Sequence, residues 1–239
     1  MPKFQDASLF AASIAPVIDA VHVNVHASAR RAGADLATAS GLEPGVLIDL
    51  RCTLPLRPIT RHGLATLYRY ADPSGLEPEI QAHLAQGTLE EDADGLLHAT
   101  PRTLAFLDAL YALHAETTGR IWNGRDLTTL SDLVGRVLDQ AGREPGGALV
   151  LMAPPYEPDG SPAGLLLFNR LAALRYHRAD SHAAAWRAAG LSSGEIVALR
   201  DGPLREAVEA DTNRRAAQPY LALSADDREA LHDGLLALV

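Results

Sequence analysis

The sequence predicts a mainly α, multi-helix fold that contains a winged helix-turn-helix with a small β-hairpin wing. Three observations carry that prediction. Ala and Leu are abundant while aromatic residues make up 5% of the 239 positions, a bias toward helix formers. From Ile59 to Thr100 the pattern runs helix, turn, helix, then two short β-type segments about the turn signal Asp92-Ala93-Asp94-Gly95. Between Gly164 and Gly190 there is no Gly or Pro, which predicts one long helix closed by a glycine. With 47% hydrophobic and 21% charged residues the composition is that of a globular chain. It divides into an N-terminal helical segment (1–57), the winged unit (58–122) and a C-terminal helical domain (123–239) built around the helix at 163–190.

Each element has its own signal. Ser8 to Arg31 reads as a helix with a bend or start at Pro16 and closure at Gly33. Within it His22 and His26 share one face, whether the stretch is a helix or an alternating VHVNVH strand, and a pair alone identifies no metal. Val46 to Leu50, followed by Arg51 and enclosed by prolines and glycines, is a connector or a short helix. Ile59 to Tyr70 is a helix ending at the turn ADPSG. Leu76 to Gln86 carries Leu76, Ile80 and Leu84 on one face and is capped by Gly87. Thr88–Glu91 and Leu96–Ala99 are the hairpin strands. Thr100 and Pro101 then occupy the cap and first position of a helix through Phe106, Leu110 and Leu113 toward Trp122. Asp126 to Ala141 is amphipathic, and Ala148 to Ala153 is a short apolar run before the proline-rich loop PPYEPDGSP. After the central helix, SSGEI is a capping signal, with helices at Glu195–Leu199, Pro203–Ala217 and Ala225–Leu238.

Charge and cysteine usage narrow the function classes. The chain has 21 Lys plus Arg against 30 Asp plus Glu, a formal charge of −9, so most of its surface repels a polyanion. Between Ala71 and Thr100 lie seven acidic residues and no Lys or Arg, although a recognition helix and wing need cations to meet phosphates and guanine edges. DNA is therefore disfavoured as a partner unless Arg57, Arg61 and Arg69 present another face. A single cysteine, Cys52, allows no internal disulfide and reads as a small core residue, so a cytoplasmic protein is expected. No signal peptide or membrane-spanning run is expected, and no metal or cofactor is assigned.

The central helix is apolar in its first part, but Tyr176, His177, Arg178, Asp180 and His182 then spread polar groups around nearly its whole circumference. Four ionisable residues within six positions of an otherwise apolar element point to a pocket or an interface. His177 and Asp180, three apart, are the candidate catalytic acid/base pair, with the carboxylate orienting the imidazole. Tyr176, Arg178 and His182 are candidate ligand-binding residues, Arg178 suiting a carboxylate, phosphate or oxyanion.

Two resemblances add to this. QAHLAQGTLEEDADGLLHATPRTLAFLDAL resembles the recognition helix, wing and following helix of MarR-like proteins over roughly residues 59 to 120. LRYHRADSHAAAWRAAGL resembles the LR-x-HRGD-x-H motif of a largely uncharacterised bacterial helix-turn-helix family, with Ala179 in place of the glycine. PVIDAVHVNV is similar to that family's N-terminal segment, which implies that His22 joins the cluster as a ligand-binding residue. The resemblance implies a small-molecule-binding winged-helix protein of regulator descent, expected as a homodimer, with weak or lost DNA contacts. The alternative is an enzyme on a winged-helix scaffold acting on a small polar substrate through the His177, Asp180 and Arg178 cluster, although no GxSxG, HExxH, CxxC or phosphate-loop signature is present.

Overall fold

The computed structural model describes residues 3–239. Its longest element, α1 (Ala7–Ser40), starts on Asp6, whose carboxylate accepts from the N–H groups of Ser8 and Leu9, and ends at Gly41 with φ 62°. It passes through both Pro16 and Gly33, which were expected to bend or close it. A helical Gly costs only about 1 kcal/mol relative to Ala. Buried Ile14 and Ile18 flank Pro16 and buried Ala29 and Ala37 flank Gly33, so packing continues across both positions, and the left-handed cap is supplied instead by Gly41. By length and composition α1 could cross a membrane, with mean hydropathy 1.5 over an 18-residue window, contrary to the expectation that no run would. Half of that window is buried against the rest of the fold.

The chain continues through α2 (Leu47–Leu50), β1 (Ile59–Thr60), α3 (Arg61–Leu67), a 3-10 turn at Pro73–Gly75, α4 (Leu76–Gln86), β2 (Leu89–Glu91) and β3 (Leu96–Ala99). The helix expected from Ile59 begins two residues later, because Ile59 and Thr60 pair with Leu97 and Leu96 of β3. Thr60 then caps α3, its hydroxyl accepting from the Gly63 N–H. The antiparallel sheet has the order β1-β3-β2, with Leu89 opposite Ala99 and Glu91 opposite Leu97. α4 is closed by Gly87 with φ 70°.

The remaining elements are α5 (Pro101–Ile121), α6 (Leu127–Gln140), α7 (Leu149–Met152), α8 (Ala163–Ala188), α9 (Ser193–Ala198), α10 (Pro203–Ala216), a 3-10 turn at Gln218–Ala222 and α11 (Ala225–Leu236). The fold is mainly helical with this one small sheet. One apolar core joins the first half of α1 to α6, α8 and α11, through Phe10, Val21, Val134, Leu167, Phe168 and Leu231. A second lies under the sheet and takes in Leu50, Ile59, Leu64, Ile80, Leu97 and Phe106. α1 and α5 contribute to both cores, so the helix-hairpin unit is tied to the helical body by two continuous helices.

α8 packs against α1, α5, α6, α7 and α10, which is why no single stripe of it is polar. Its start is close to α5: a Cβ at Gly164 would stand 2.9 Å from Thr118 Oγ1 and 3.0 Å from Thr118 Cβ. Gly164→Ala should therefore destabilise the protein by roughly 1–3 kcal/mol through overpacking. Urea unfolding of this variant tests the crossing, and an unchanged midpoint would contradict it.

Candidate functional site

The polar half of α8 divides between two sides of the helix. On one side His177, Arg178 and His182 line a groove of about 260 Å³ with Asp19 and Arg175 of α1 and α8 and Glu209 of α10. Arg178 donates to Asn213 Oδ1 at 2.9 Å and to Glu209 Oε2 at 3.2 Å, and His182 Nε2 lies 3.8 Å from the other oxygen of Glu209. The four-residue spacing thus brings Arg178 and His182 to one carboxylate, as a helix face requires. Arg175 donates to Asp19 Oδ1 at 2.6 Å and to His22 Nδ1 at 3.1 Å, which places His22 at the edge of this cluster. Every one of these charges has a partner inside the fold, so the groove is a clasp between α1, α8 and α10.

The expected His177–Asp180 pair is not formed. Asp180 Oδ1 accepts from Arg69 Nη2 at 2.6 Å and from the Ala148 N–H at 2.8 Å, while Oδ2 accepts from the Leu149 N–H at 2.8 Å. A guanidinium and two N–H groups at the start of α7 outcompete a neutral imidazole for the carboxylate. His177 instead donates from Nε2 to the Ala216 carbonyl at 3.4 Å, and burial holds it below the ordinary histidine range, against the raising effects of that carbonyl and of Asp180. Asp180 is thus the knot that ties α8 to α7 and to the end of α3.

Tyr176 turns the other way, toward Asp49, Arg51 and Cys52, and burial raises its phenol well above its ordinary value. This inner side holds a second polar cluster that the sequence signalled only in part. The Phe168 ring has His22 stacked on it at 5.1 Å between centroids, with His26 at 5.2 Å and His114 at 4.9 Å edge-on. The Arg51 guanidinium lies over the same ring, 4.7 Å from its centroid. His22 and His26, predicted to share a face, are 4.6 Å apart between ring centroids. Among the described residues no group of three His, Cys, Asp or Glu side chains is arranged to hold a metal ion.

The polar bookkeeping of this inner cluster does not close. Arg51 is 2% exposed and donates one bond, from Nη1 to the Ile48 carbonyl at 2.8 Å, while Nε and Nη2 have no hydrogen-bond partner. No carboxylate of the described residues lies within 4.0 Å of it; Asp49, on the same turn, accepts from the Tyr68 hydroxyl at 2.6 Å. His114 Nδ1 and both amide atoms of Asn169, the residue after Phe168, are also buried and unbonded. Among the described residues these three side chains hold all of the buried, unpartnered polar side-chain atoms.

Beside the cluster a cavity of about 540 Å³ opens between α1, α5 and the segment before α2. His26 and His114 form its polar wall, and the rest is mostly aliphatic, including Val23, Ala27, Leu110 and Leu113. Arg51 and Asn169 were not among the residues singled out as site candidates, and neither was His114. His114 could have been found, because it falls on the buried stripe of α5 at helical spacing from Phe106, Leu107, Leu110 and Tyr111. Arg51, in the connector after Leu50, carries no such periodicity. Cys52 is fully buried, and its thiol is pushed up by burial, as a core residue requires.

Searches against protein-family models, curated proteins and solved structures found no match to this chain. The site therefore stands on its own geometry.

Two outcomes follow from these contacts. Asp180→Ala should cost about 3 kcal/mol or more, because it leaves Arg69 buried without its carboxylate and uncaps α7; a loss below about 1 kcal/mol in chemical unfolding would contradict the knot. The second concerns pH. Burial first, and then the charges of Arg175 and Arg51, hold His22 well below its ordinary value; burial and Arg51 lower His26 to about 4 and His114 to about 2. Asp49 opposes this at His26. Below about pH 6.5 the unfolded chain takes up protons that the folded histidines refuse, so stability falls as pH falls. His22 and His114 together should account for about 3–4 kcal/mol between about pH 7 and pH 5, read by urea unfolding at each pH. A flat profile over that range would show these histidines to be solvated.

Proposed function

We propose that the protein binds a small molecule at the Arg51–histidine cluster, on a fold in which a winged-helix unit serves as scaffold and not as a reader of DNA. The observation that carries this is the buried Arg51 guanidinium with two unbonded nitrogens and no carboxylate partner. A buried charge is costly unless it is paired and hydrogen-bonded, and a ligand entering the adjoining cavity would supply what the fold omits. His114 and Asn169, also unsatisfied, support the same conclusion, because unpartnered buried atoms concentrated in one place suit a site that is completed on binding.

The winged-helix reading is supported by the order β1, α3, α4, β2, β3 and by a sheet in which β1 pairs with the second hairpin strand. Loss of DNA contacts is supported by the use of its cations. Arg61 is paired with Glu77 and Glu91, Arg69 with Asp180, and Arg102 bonds the carbonyls of Gln86, Ser40 and Gly41. Arg57, just before the unit, donates to the Leu151 carbonyl at 2.7 Å. The face that the sequence left open for DNA through Arg57, Arg61 and Arg69 is thus occupied internally. The enzyme alternative draws no support from the geometry, since Asp180 does not meet His177.

Two experiments test this. A diverse library of small molecules should contain compounds that raise the melting temperature and shift the imidazole NMR signals of His26 and His114. Ala27→Trp, which narrows the cavity, should abolish both effects. A ligand present at about 100 times its Kd would stabilise by about 2.7 kcal/mol. Silence across the library, or effects untouched by Ala27→Trp, would overturn the reading. In a gel shift at low salt, where phosphate contacts are strongest, the protein should leave its own upstream DNA unshifted; a salt-sensitive shift would reinstate the regulator.

A further inference from the structure

We infer that the cluster receives the carboxylate of an amphipathic, aliphatic monocarboxylic acid whose chain lies in the adjoining cavity; the inference rests on the small-molecule reading above and names its ligand class. One edge of the Arg51 guanidinium is free. Nη1 is occupied by the Ile48 carbonyl, whereas Nε and Nη2 are unbonded. Those two atoms form one edge of the guanidinium plane, with parallel N–H groups at the spacing of two carboxylate oxygens. The free edge is therefore the one that binds a planar oxyanion with two hydrogen bonds.

Arg51 contributes one uncompensated positive charge, and the three imidazoles around Phe168 are neutral at ordinary pH. Arg175, the other cation near His22, is already paired with Asp19. Asp49, the acid nearest the cluster, is held by Tyr68. Counted formally, Arg51 and Arg30 of the cavity wall against Asp49 leave one positive charge, which a singly charged anion balances, whereas a phosphate dianion would leave an excess negative charge. His114 Nδ1 and the Asn169 amide remain as neutral groups that can donate to or accept from the bound acid.

At about 540 Å³ the cavity suits a small organic molecule and not a bare ion. Apart from His26, His114 and Arg30 its walls carry no polar side chain, and Phe106 is the one carbocyclic aromatic ring among them. The cavity is open to solvent along Val23, Ala27 and Ala34, but a polar group set against its buried wall of Phe106 and Leu110 would lose its hydrogen bonds, so the part of the ligand lying there is a hydrocarbon chain. Arg51 is not itself on the cavity wall, but His26 and His114 line the cavity and also touch the Phe168 ring over which Arg51 lies, so on this inference the carboxylate passes between these two imidazoles to the guanidinium edge.

Isothermal titration of the full chain with straight-chain alkanoates of about eight to twelve carbons, each below its micellar concentration, tests the inference. The comparison is with alkanols and alkylamines of equal length. The alkanoates should bind at least about 30-fold more tightly than the alkanols, the effect of losing one partner of a buried charge pair. Arg51→Met should erase that difference, and Arg51→Lys, which keeps the charge without the two-pronged edge, should lose most of it. Should Arg51→Met not fold, the ligand series on the unaltered protein decides alone. Equal binding of alkanoates and alkanols overturns the carboxylate and leaves the small-molecule reading standing. The same holds if neither series binds while other library compounds do. If neither the series nor the library binds, both readings fall.

Discussion

A helix buried on nearly every side must find a partner for each of its polar groups, and α8 is such a helix. Arg170 meets Glu157 at 2.8 Å, Arg175 meets Asp19, Arg178 meets Glu209 and Asn213, and His182 is hydrogen-bonded to the Tyr70 hydroxyl at 2.8 Å. Asp180 gathers three donors from two other parts of the chain. Each partnership fixes a neighbouring element against α8, so the surroundings of this helix are largely set by where its polar side chains can be satisfied. The proline-rich loop before α8 is anchored the same way, through Glu157.

The accounting fails in one place. Around Phe168, on the inner side of the same helix, Arg51, His114 and Asn169 keep buried atoms without partners, while three histidines are held neutral beside them. Stability alone would favour an apolar residue at position 51, since one hydrogen bond to Ile48 and the contact with Phe168 do not offset a desolvated guanidinium. A site that gives up stability where it meets a ligand has this form. The contrast with the outer groove is informative: there the charges are numerous but mutually paired, and the dense cluster serves cohesion.

Much of the fold was legible because it rests on local signals. Gly87, the hairpin turn at Asp92–Gly95 and the Thr100-Pro101 start of α5 act over a few residues, and each gave its element nearly to the residue. α1 outran its expected end because Gly33 breaks a helix only when no better cap follows, and Gly41 follows. Ile59 and Thr60 were misassigned because their strand depends on β3, some 36 residues away by the pairing of Thr60 with Leu96. The site was legible in a weaker sense. Polar residues on α8 could be seen to need partners, but which partner each would find is a tertiary fact. His177 and Asp180, plausible as a pair from spacing, were separated by donors just after α3 and at the start of α7 that no helical periodicity could name. Arg51 and His114 were missed for the same reason, since what marks them is the absence of a partner.

The central claim is that Arg51 is kept for a ligand and not for the fold, and the stability of Arg51→Met in the absence of any ligand tests it most directly. Equilibrium urea unfolding should find the variant as stable as the unaltered protein or more so, by up to about 1–2 kcal/mol, because a buried unpaired charge has been replaced by an apolar side chain of similar length. A loss of about 3 kcal/mol or more would show that Arg51 holds the structure together, and the unbonded edge would then have no claim to a ligand.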